Sequence, residues 1–328
     1  MNILVTGGAG YIGAHCCKEL AARGFQPVVF DDLSKGHREN IRWGGFHQGS
    51  TGSLDDLTEC LRRWRIEAVM HFAAFIEVGE SVADPAAYYR NNVGGSLNLL
   101  HAMVQQGIRH LVFSSSAAVY GNPVRVPIDE EHPRAPLSPY GWSKQMVETM
   151  LADFDTAWGL RAMALRYFNA AGADRQARLG QDYRQPTHLL TRALKTALGL
   201  YPKLEVFGSD YPTPDGTAIR DYIHVDDLAG AHMLALEFLK AEKRSRAFNC
   251  GYGIGHSVLD VIAAAKRVTD IDFPVALAAR RPGDPAALVA DAGLIRRELG
   301  WNPEVPRLDE IVASAWNWEK KLAAAKKP

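Results

Sequence analysis

The feature that most limits the fold of this chain is the alternation of short apolar runs with longer amphipathic segments before residue 170. The apolar runs cover residues 2–6, 27–31, 67–72, 110–115 and 161–168. Amphipathic stretches that predict helices cover residues 11–23, 86–106 and 139–158. Short, continuous apolar runs predict strands that are buried on both faces, and such strands belong to parallel sheets covered by helices. The pattern therefore predicts an α/β fold with a Rossmann-type, doubly wound parallel sheet.

The pattern changes after residue 170, where Pro- and Gly-punctuated stretches separate shorter helical patterns. These helical patterns lie near residues 187–199, 225–240, 257–268 and 307–323. We therefore predict a doubly wound domain over residues 1–170 and a smaller C-terminal α/β lobe over residues 171–328. Some segments of the lobe are expected to return to the first sheet.

Charge and cysteine usage exclude several classes of function. Lys plus Arg and Asp plus Glu balance at 37 each, so no global basic field attracts nucleic acid or a membrane surface. The four cysteines, Cys16, Cys17, Cys60 and Cys250, form no CxxC or zinc-type spacing, which indicates a reduced cytoplasmic interior and no metal site. No apolar run approaches the roughly 18 residues that cross a bilayer, and the N-terminus lacks a signal peptide's basic segment. We expect a protein that is neither exported nor embedded in a membrane.

A glycine-rich loop, TGGAGYIG at residues 6–13, joins the first predicted strand to the first predicted helix. Gly7, Gly10 and Gly13 let the backbone turn tightly and approach a pyrophosphate at the helix N-terminus. Asp31 ends the next predicted strand, where a carboxylate accepts hydrogen bonds from ribose hydroxyls and repels a 2′-phosphate. The combination predicts a dinucleotide site that prefers NAD to NADP.

A second motif pair indicates proton transfer. SSSAAVYG, residues 114–121, puts hydroxyls at the carboxyl end of a strand, and SPYGWSKQ, residues 138–145, opens the following helix. Tyr140 and Lys144 lie one helical turn apart, so an ammonium accompanies a phenol on one face. A nearby positive charge stabilises the phenolate and lowers the pKa of the tyrosine, which suits it to remove an alcohol proton. Ser116 can hydrogen-bond the same alcohol oxygen.

These motifs resemble the extended short-chain dehydrogenase/reductase family, in order and approximate spacing. The resemblance includes HFAA (71–74), YYRNNV (88–93) and RYFNAAG (166–172). Motifs farther along are similar to those of the family's UDP-sugar 4-epimerases: VFGSDYPTPDGTAIRDYIHVDDLA (206–229), GYGIGHSVLDV (251–261), RRPGD (280–284) and LGW (299–301). The likeness spans nearly the whole chain.

The resemblance implies a UDP-hexose substrate, tightly held NAD and a homodimer assembled through helices of the first domain. The implied reaction interconverts UDP-galactose and UDP-glucose through a transient 4-keto sugar, with Tyr140, Lys144 and Ser116 as catalytic residues. The implied cofactor-binding residues are Gly7, Gly10, Tyr11, Ile12, Gly13, Asp31, Ser50, Phe72, Ala73, Ala74, Asn92, Ser114, Tyr140, Lys144 and Phe168. The implied substrate-binding residues are Ser116, Tyr140, Asn169, His188, Leu189, Phe207, Arg220, Arg281, Asp284 and Leu288. Without the resemblance, Arg220 beside Asp221 would be an ordinary ion pair.

The chain departs from the family pattern at several of these positions. Ser50 stands where an aspartate usually contacts adenine, and Ile76 stands where a lysine commonly reaches toward the cofactor. Thr187 and His188 replace a pair of asparagines, so His188 either contacts the diphosphate or is structural. Leu288 lies where the sugar pocket senses bulk at C2, and its intermediate size leaves acceptance of N-acetylated sugars open.

Three other functions fit parts of the pattern. Related dehydratases and decarboxylases usually carry an acidic residue after the strand, where this chain has Ala117 and Ala118. A 4-epimerase of another UDP-sugar, such as UDP-N-acetylglucosamine or a UDP-pentose, would use the same catalytic residues. A non-catalytic dinucleotide sensor typically loses the tyrosine or the lysine, and this chain keeps both.

Overall fold

The sequence builds alternating strands and helices in the described residues, which are 1–183, 186–242, 244–281 and 283–325 of the computed structural model. The strands are β1 (Asn2–Thr6), β2 (Gln26–Asp31), β3 (Gly45–Gln48), β4 (Ala68–His71), β5 (His110–Ser116), β6 (Arg161–Tyr167), β7 (Asn169–Ala171), β8 (Leu204–Phe207), β9 (Ile219–His224), β10 (Arg246–Cys250), β11 (Gly255–Ser257), β12 (Val275–Ala278) and β13 (Ala287–Leu288). The α-helices are α1 (Tyr11–Ala22), α2 (Leu54–Arg63), α3 (Val78–Ala83), α4 (Pro85–Tyr88), α5 (Gly95–Gln105), α6 (Pro139–Trp158), α7 (Leu189–Ala197), α8 (Val225–Glu242), α9 (Val258–Thr269), α10 (Gly293–Leu299) and α11 (Leu308–Ala325).

The predicted doubly wound sheet is confirmed. Its seven strands are ordered β10-β6-β5-β4-β1-β2-β3, and every neighbouring pair is parallel. The chain leaves β1 toward β2 and β3, then returns to the other side of β1 with β4. Open α/β sheets bind ligands at such a reversal, outside the carboxyl ends of the strands. The segments that follow β1 and β4 therefore flank the expected cofactor site.

Burial on both faces explains why these strands are continuously apolar. Ile3 and Val5 of β1 belong to one core cluster, whereas Leu4 between them belongs to the cluster on the opposite face. All three side chains are fully buried. Complete burial of such a side chain contributes about 1.5–3 kcal/mol, so a polar substitution on either face of β1 destabilises the sheet.

Local sequence defines both ends of α6, the helix that carries the proposed catalytic pair. Ser138 caps the helix by accepting a hydrogen bond from the N–H of Gly141 at 3.2 Å, and Pro139 occupies the first turn. Gly159 ends the helix in the left-handed region with φ of 66°. The cap and the proline fix where α6 begins, and Gly159 fixes where it ends. Tyr140 therefore lies in the first turn of the helix, beside β5.

The second half of the chain forms smaller sheets and returns one strand to the first sheet. In the smaller sheets, β9 pairs with β7, β11 and β13, and β12 pairs with β8. By contrast, β10 pairs in parallel with β6 and completes the seven-stranded sheet.

The secondary structure differs at several places from what the sequence predicts. Residues 86–106 do not form one helix, because a π-helical turn at Tyr89–Gly94 separates α4 from α5. Such turns are frequent at functional sites, and this one carries Asn92. The sequence patterns also missed shorter elements, including β3, α2, α3 and α10. The four-residue β3 is only partly buried, so it lacks the apolar run used to find the other strands.

Candidate active site

The glycine loop forms a cradle at the N-terminus of α1. Gly7 has φ of +70°, and a Cβ there would lie 2.7 Å from the backbone nitrogen of Ala73. A Cβ on Gly13 would lie 2.4 Å from the carbonyl oxygen of Gly7. Gly10 precedes the first residue of α1 and makes no side-chain cap, so the first N–H groups of the helix face a space suited to an anion. The loop therefore fits the pyrophosphate of a dinucleotide.

Asp31 is buried at the end of β2 and is linked to the glycine loop. Its Oδ2 accepts from the N–H of Ala9 at 3.0 Å, and its Oδ1 accepts from the N–H of Leu33 at 2.9 Å. Burial raises the pKa of Asp31, and these two backbone donors oppose that rise. Carboxylate oxygens accept more than one hydrogen bond, so the group retains capacity for ribose hydroxyls.

Ser50 is directed largely into its own loop. Its Oγ accepts from the N–H of Gly52 at 3.1 Å, and its backbone N–H donates to Oδ2 of Asp56 at 3.0 Å. The hydroxyl hydrogen of Ser50 can donate a hydrogen bond to an adenine. A neutral hydroxyl is a weaker partner than the carboxylate usual at this position.

Asn92 holds the segment that follows β4. Its Oδ1 accepts from the N–H of Phe75 at 2.8 Å, and its Nδ2 donates to the carbonyl of Phe75 at 3.0 Å. The same Nδ2 lies 3.0 Å from Oγ of Ser143 on α6. Asn92 thus links this segment, which includes the predicted cofactor residues Phe72, Ala73 and Ala74, to α6.

The proposed catalytic residues meet where β5 ends against α6. Nζ of Lys144 lies 5.8 Å from the centroid of the Tyr140 ring and donates to the carbonyl of Ser114 at 2.8 Å. A hydrogen bond links Tyr140 to Ser116. The structure therefore brings together the phenol, the ammonium and the serine hydroxyl that the sequence singled out.

Burial sets the proton affinities of this pair. Burial raises the pKa of Tyr140, its hydrogen bond with Ser116 lowers it, and the charge of Glu77 raises it further. Burial lowers the pKa of Lys144 to about 7, against the opposing effect of Glu148. The phenol is consequently protonated at neutral pH until further positive charge, such as a cationic nicotinamide, stabilises the phenolate.

Ser114, another serine of the motif, packs beside this pair. The hydroxyl of Ser114 is hydrogen-bonded to that of Tyr167, a partly buried residue. Phe168, a predicted cofactor contact, lies in a small core cluster with Ala117 and Val119, and Leu288 packs against the same cluster. This cluster places a predicted sugar-pocket residue close to a predicted cofactor residue.

Predicted substrate residues from different elements line a cavity of about 40 Å³ between β7, α7 and α11. Its walls include Asn169, His188, Leu189, Tyr222 and Trp318. The ring of His188 stacks on that of Tyr183 at a centroid distance of 5.5 Å. Burial lowers the pKa of His188, the charge of Glu77 raises it and that of Arg281 lowers it. His188 is therefore neutral near pH 7.

Two of the predicted substrate-binding residues are arginines, Arg220 on β9 and Arg281 in the RRPGD motif. Arg220 donates to the carboxylate of Asp284 and, at 2.7 Å, to the carbonyl of Ile219. The guanidinium of Arg281 lies 4.0 Å above the Phe207 ring. Pro282, within the RRPGD motif, lies outside the described residues.

The sequence-based alternative that pairs Arg220 with Asp221 is wrong. Asp221 is fully buried and accepts N–H donors from Tyr252 at 2.9 Å, Gly253 at 2.9 Å and Ala290 at 3.2 Å. Burial raises the pKa of Asp221 to about 6, against those backbone donors. Adjacent residues of a strand point to opposite faces, so Arg220 and Asp221 face different partners.

Comparison with known proteins identifies the family. The family model described as "NAD dependent epimerase/dehydratase family" matches residues 3–251. The chain belongs to this family. It is 49% identical over 320 residues to a UDP-glucose 4-epimerase of Rhizobium leguminosarum bv. trifolii, covering 98% of each chain. It is 52% identical over 322 residues to a UDP-glucose 4-epimerase of Azospirillum brasilense, covering 98% of this chain and 92% of the relative.

Solved structures of family members show the same likeness. The UDP-glucose 4-epimerase of Brucella ovis in complex with NAD has a TM-score of 0.94 at 49% identity, covering 96% of this chain and 97% of that one. The enzyme of Stenotrophomonas maltophila, with bound NAD and formylated UDP-arabinopyranose, has a TM-score of 0.96 at 41% identity, covering 99% of both chains. The NAD dependence of the family agrees with the glycine cradle and Asp31 described above.

Sequence reasoning missed Glu77 and Tyr183 as neighbours of the site. Glu77 follows β4 and affects the pKa values of Tyr140, Tyr183 and His188. The position of Glu77 just beyond a carboxyl strand end was an available signal. Tyr183 lies in the loop-rich part of the chain, where no periodic pattern marks it.

In the described residues, no cluster of His, Cys, Asp and Glu is arranged to hold a metal ion. No helix of the described chain is long and apolar enough to cross a membrane.

Proposed function

We propose that this protein is a UDP-glucose 4-epimerase, which interconverts UDP-galactose and UDP-glucose and so serves galactose metabolism. The observation that carries the proposal is the Tyr140, Lys144 and Ser116 group, which meets where β5 ends against α6. The full-length similarity to UDP-glucose 4-epimerases of several bacteria supports it.

In the proposed mechanism, the glycine cradle and Asp31 would hold NAD, which would supply the hydride chemistry at C4 of the sugar. Tyr140 removes the C4 hydroxyl proton and later gives it back. Ser116 holds the C4 oxygen, while Lys144 stabilises the phenolate of Tyr140. A turn of the sugar about its link to the diphosphate would present the opposite face of C4 to the cofactor. Arg220 and Arg281 hold the UDP portion during this turn, because guanidinium groups donate paired hydrogen bonds to phosphates.

The residues after Ser116 support epimerisation over water elimination. Ala117 and Ala118 form a short 3-10 turn with Val119, and Ala117 is buried. Neither side chain can donate or accept a proton. A dehydratase of this family needs an acid or base there, so the alanines favour the epimerase.

The test is an assay of the purified protein, first without and then with added NAD, against UDP-galactose, UDP-N-acetylgalactosamine and UDP-arabinose. We expect UDP-galactose to yield UDP-glucose without added cofactor. Activity only with added NAD would show that Ser50 and Ile76 weaken cofactor retention. A preference for another sugar would assign the protein to another UDP-sugar 4-epimerase, and NAD binding without conversion would indicate a dinucleotide sensor.

We further propose that the protein is a cytoplasmic homodimer whose interface includes α5 and α6. Leu97 on α5 is 46% exposed, and Trp142 and Met146, one turn apart on α6, are 41% and 40% exposed. A second copy of this chain would cover these apolar side chains, as the family resemblance implies. Light scattering after size exclusion should give a dimer mass for the wild type and a monomer mass for Met146→Glu. Four unpaired, buried cysteines support a reducing compartment.

A further inference from the structure

A buried carboxylate lies behind the catalytic pair and has no role in the mechanism above. Glu148 follows Lys144 by one turn of α6, and 9% of its surface is exposed. Its Oε1 accepts from the hydroxyl of Ser115 at 2.6 Å, and its Oε2 accepts from Nη2 of Arg166 at 2.6 Å. A third donor, Nη1 of Arg134, lies 3.2 Å from Oε2.

One partner of Glu148, Ser115, belongs to β5, the strand that carries Ser114 and Ser116. Ser115 lies between Ser114, whose carbonyl receives the Lys144 ammonium, and Ser116, which is hydrogen-bonded to Tyr140. Ser115 and Arg166 are register partners on β5 and β6, so their side chains share the face covered by α6. Glu148 therefore ties the catalytic end of β5 directly to the helix that bears Tyr140 and Lys144.

We propose that Glu148 is a positioning residue for this catalytic pair, holding β5 against α6 through Ser115 and placing a negative charge one helical turn from the Lys144 ammonium. The proposal rests on the epimerase function proposed above, in which Lys144 acts as a cation.

Electrostatics support this role. Burial lowers the pKa of Lys144 to about 7, and Glu148 is the group that raises it. His71 faces Lys144 from β4 but is neutral, because burial and then Lys144 itself lower its pKa to about 3. Tyr140 is the other titratable neighbour on the helix. Glu148 is thus the negative charge that favours the ammonium form.

The groups around Glu148 keep it ionised. Burial alone would raise the pKa of Glu148, but the hydrogen bonds and charge of Arg166, with Ser115 and Arg134, bring it below its usual value. Tyr120 adds no charge, since burial raises its pKa to about 12. Arg166 also donates to the Tyr120 hydroxyl at 2.9 Å and to the carbonyl of Glu130 at 3.2 Å, which fixes the guanidinium.

Glu148→Gln removes the charge and keeps the shape. In the NAD-loaded enzyme, kcat/KM for UDP-galactose should begin to fall about one pH unit lower than in wild type, because Lys144 gives up its proton more readily. At pH 8 the loss should be about tenfold. A purely structural ion pair would instead lower activity equally at all pH values, and that result would overturn the proposal.

Two further measurements keep the test decisive. The pKa of Lys144, followed by NMR of its ¹³Cε and assigned with Lys144→Met, should fall in Glu148→Gln even if the protein converts no sugar, which separates this proposal from the proposed function. Arg134 is half-exposed and is one of the positive charges beside Glu148. If Glu148→Gln fails to fold, Arg134→Gln removes that positive charge instead, and the pKa of Lys144 should rise. An unchanged pKa of Lys144 in a folded variant contradicts the proposal. As a control, Glu298→Gln removes a carboxylate of α10 that pairs with Arg244 and Arg246. This variant should leave the pKa of Lys144 unchanged.

Discussion

Thr187 donates a hydrogen bond from Oγ1 to Oε2 of Glu77 at 2.5 Å, across 110 residues of sequence. The bond joins the segment after β4 to the residue that precedes His188 at the start of α7. Tyr88 anchors the Glu77 end through a 2.7 Å bond to its carbonyl. The two sides of the proposed substrate cleft are therefore linked through a carboxylate that also affects Tyr140.

We expect Thr187→Val to raise KM for the UDP-sugar about three- to tenfold with little change in kcat. Loss of a hydrogen bond to a charged group, discounted for its exposure, accounts for that size. The removed bond positions His188 and the N-terminus of α7, not the reacting atoms. Steady-state kinetics checks this, with Thr187→Ser expected to restore the wild-type KM. A fall in kcat alone would show that the bond does not serve binding.

Glu77→Gln should have an additional effect on pH dependence. Glu77 raises the pKa of Tyr140, so removal of its charge lowers that pKa. The acidic limb of kcat/KM should therefore move to lower pH, whereas Thr187→Val should leave that limb in place. A pH profile of both variants separates the charge effect from the hydrogen bond, and equal profiles would contradict the electrostatic role of Glu77.

Tyr140→Phe should reduce kcat by about 10²–10⁴-fold, the usual contribution of a positioned acid or base. NAD binding should change little, because the glycine cradle and Asp31 are untouched. Turnover and NAD content of the purified variant provide the measurement. Tyr89→Phe is a matched control that should keep full activity. Retained turnover in Tyr140→Phe would assign the proton transfer to another group.

Asp31→Asn should weaken NAD binding about 10- to 100-fold and reduce the preference for NAD over NADP. The amide cannot reproduce the charged acceptor, and hydrogen bonds to charged groups contribute about 1.5–3 kcal/mol. The substitution also weakens the hydrogen bond that Asp31 accepts from the N–H of Ala9, which helps to hold the glycine loop in place. Calorimetric titration of both dinucleotides checks the expectation. Asp32→Asn, at the exposed neighbour, should leave both affinities unchanged.

Gly13→Ala should abolish NAD binding, because its Cβ would lie 2.4 Å from the carbonyl oxygen of Gly7. The backbone of the cradle would have to shift. Gly230→Ala on α8 is the matched control, since a Cβ there meets nothing within 4 Å. That control should leave NAD binding intact and stabilise the helix by about 0.5–1 kcal/mol. Thermal denaturation with and without NAD measures both effects.

The sequence by itself determined the doubly wound α/β fold, the glycine cradle and the pairing of Tyr140 with Lys144. These features depend on local spacing: apolar runs, glycines between a strand and a helix, and two side chains one turn apart. β3 was missed because it is short and only partly buried, whereas α2 carries a clear helical pattern, with Leu57, Cys60 and Leu61 buried after the N-cap Ser53, that the sequence interpretation did not use. The break of the predicted helix at Tyr89–Gly94 escaped because helical periodicity does not distinguish a π turn from an α-helix.

Only the tertiary structure decided how distant groups meet. Arg220 pairs with Asp284 and not with its sequence neighbour Asp221, since a strand turns adjacent side chains to opposite faces. Asn92 clamps Phe75, and Glu148 joins Ser115 to Arg166, through contacts between separate elements. Burial then sets the charges, as it does for Lys144 with its pKa of about 7. Spacing along a chain carries no measure of burial, so proton affinity and long-range pairing are properties of the packed molecule.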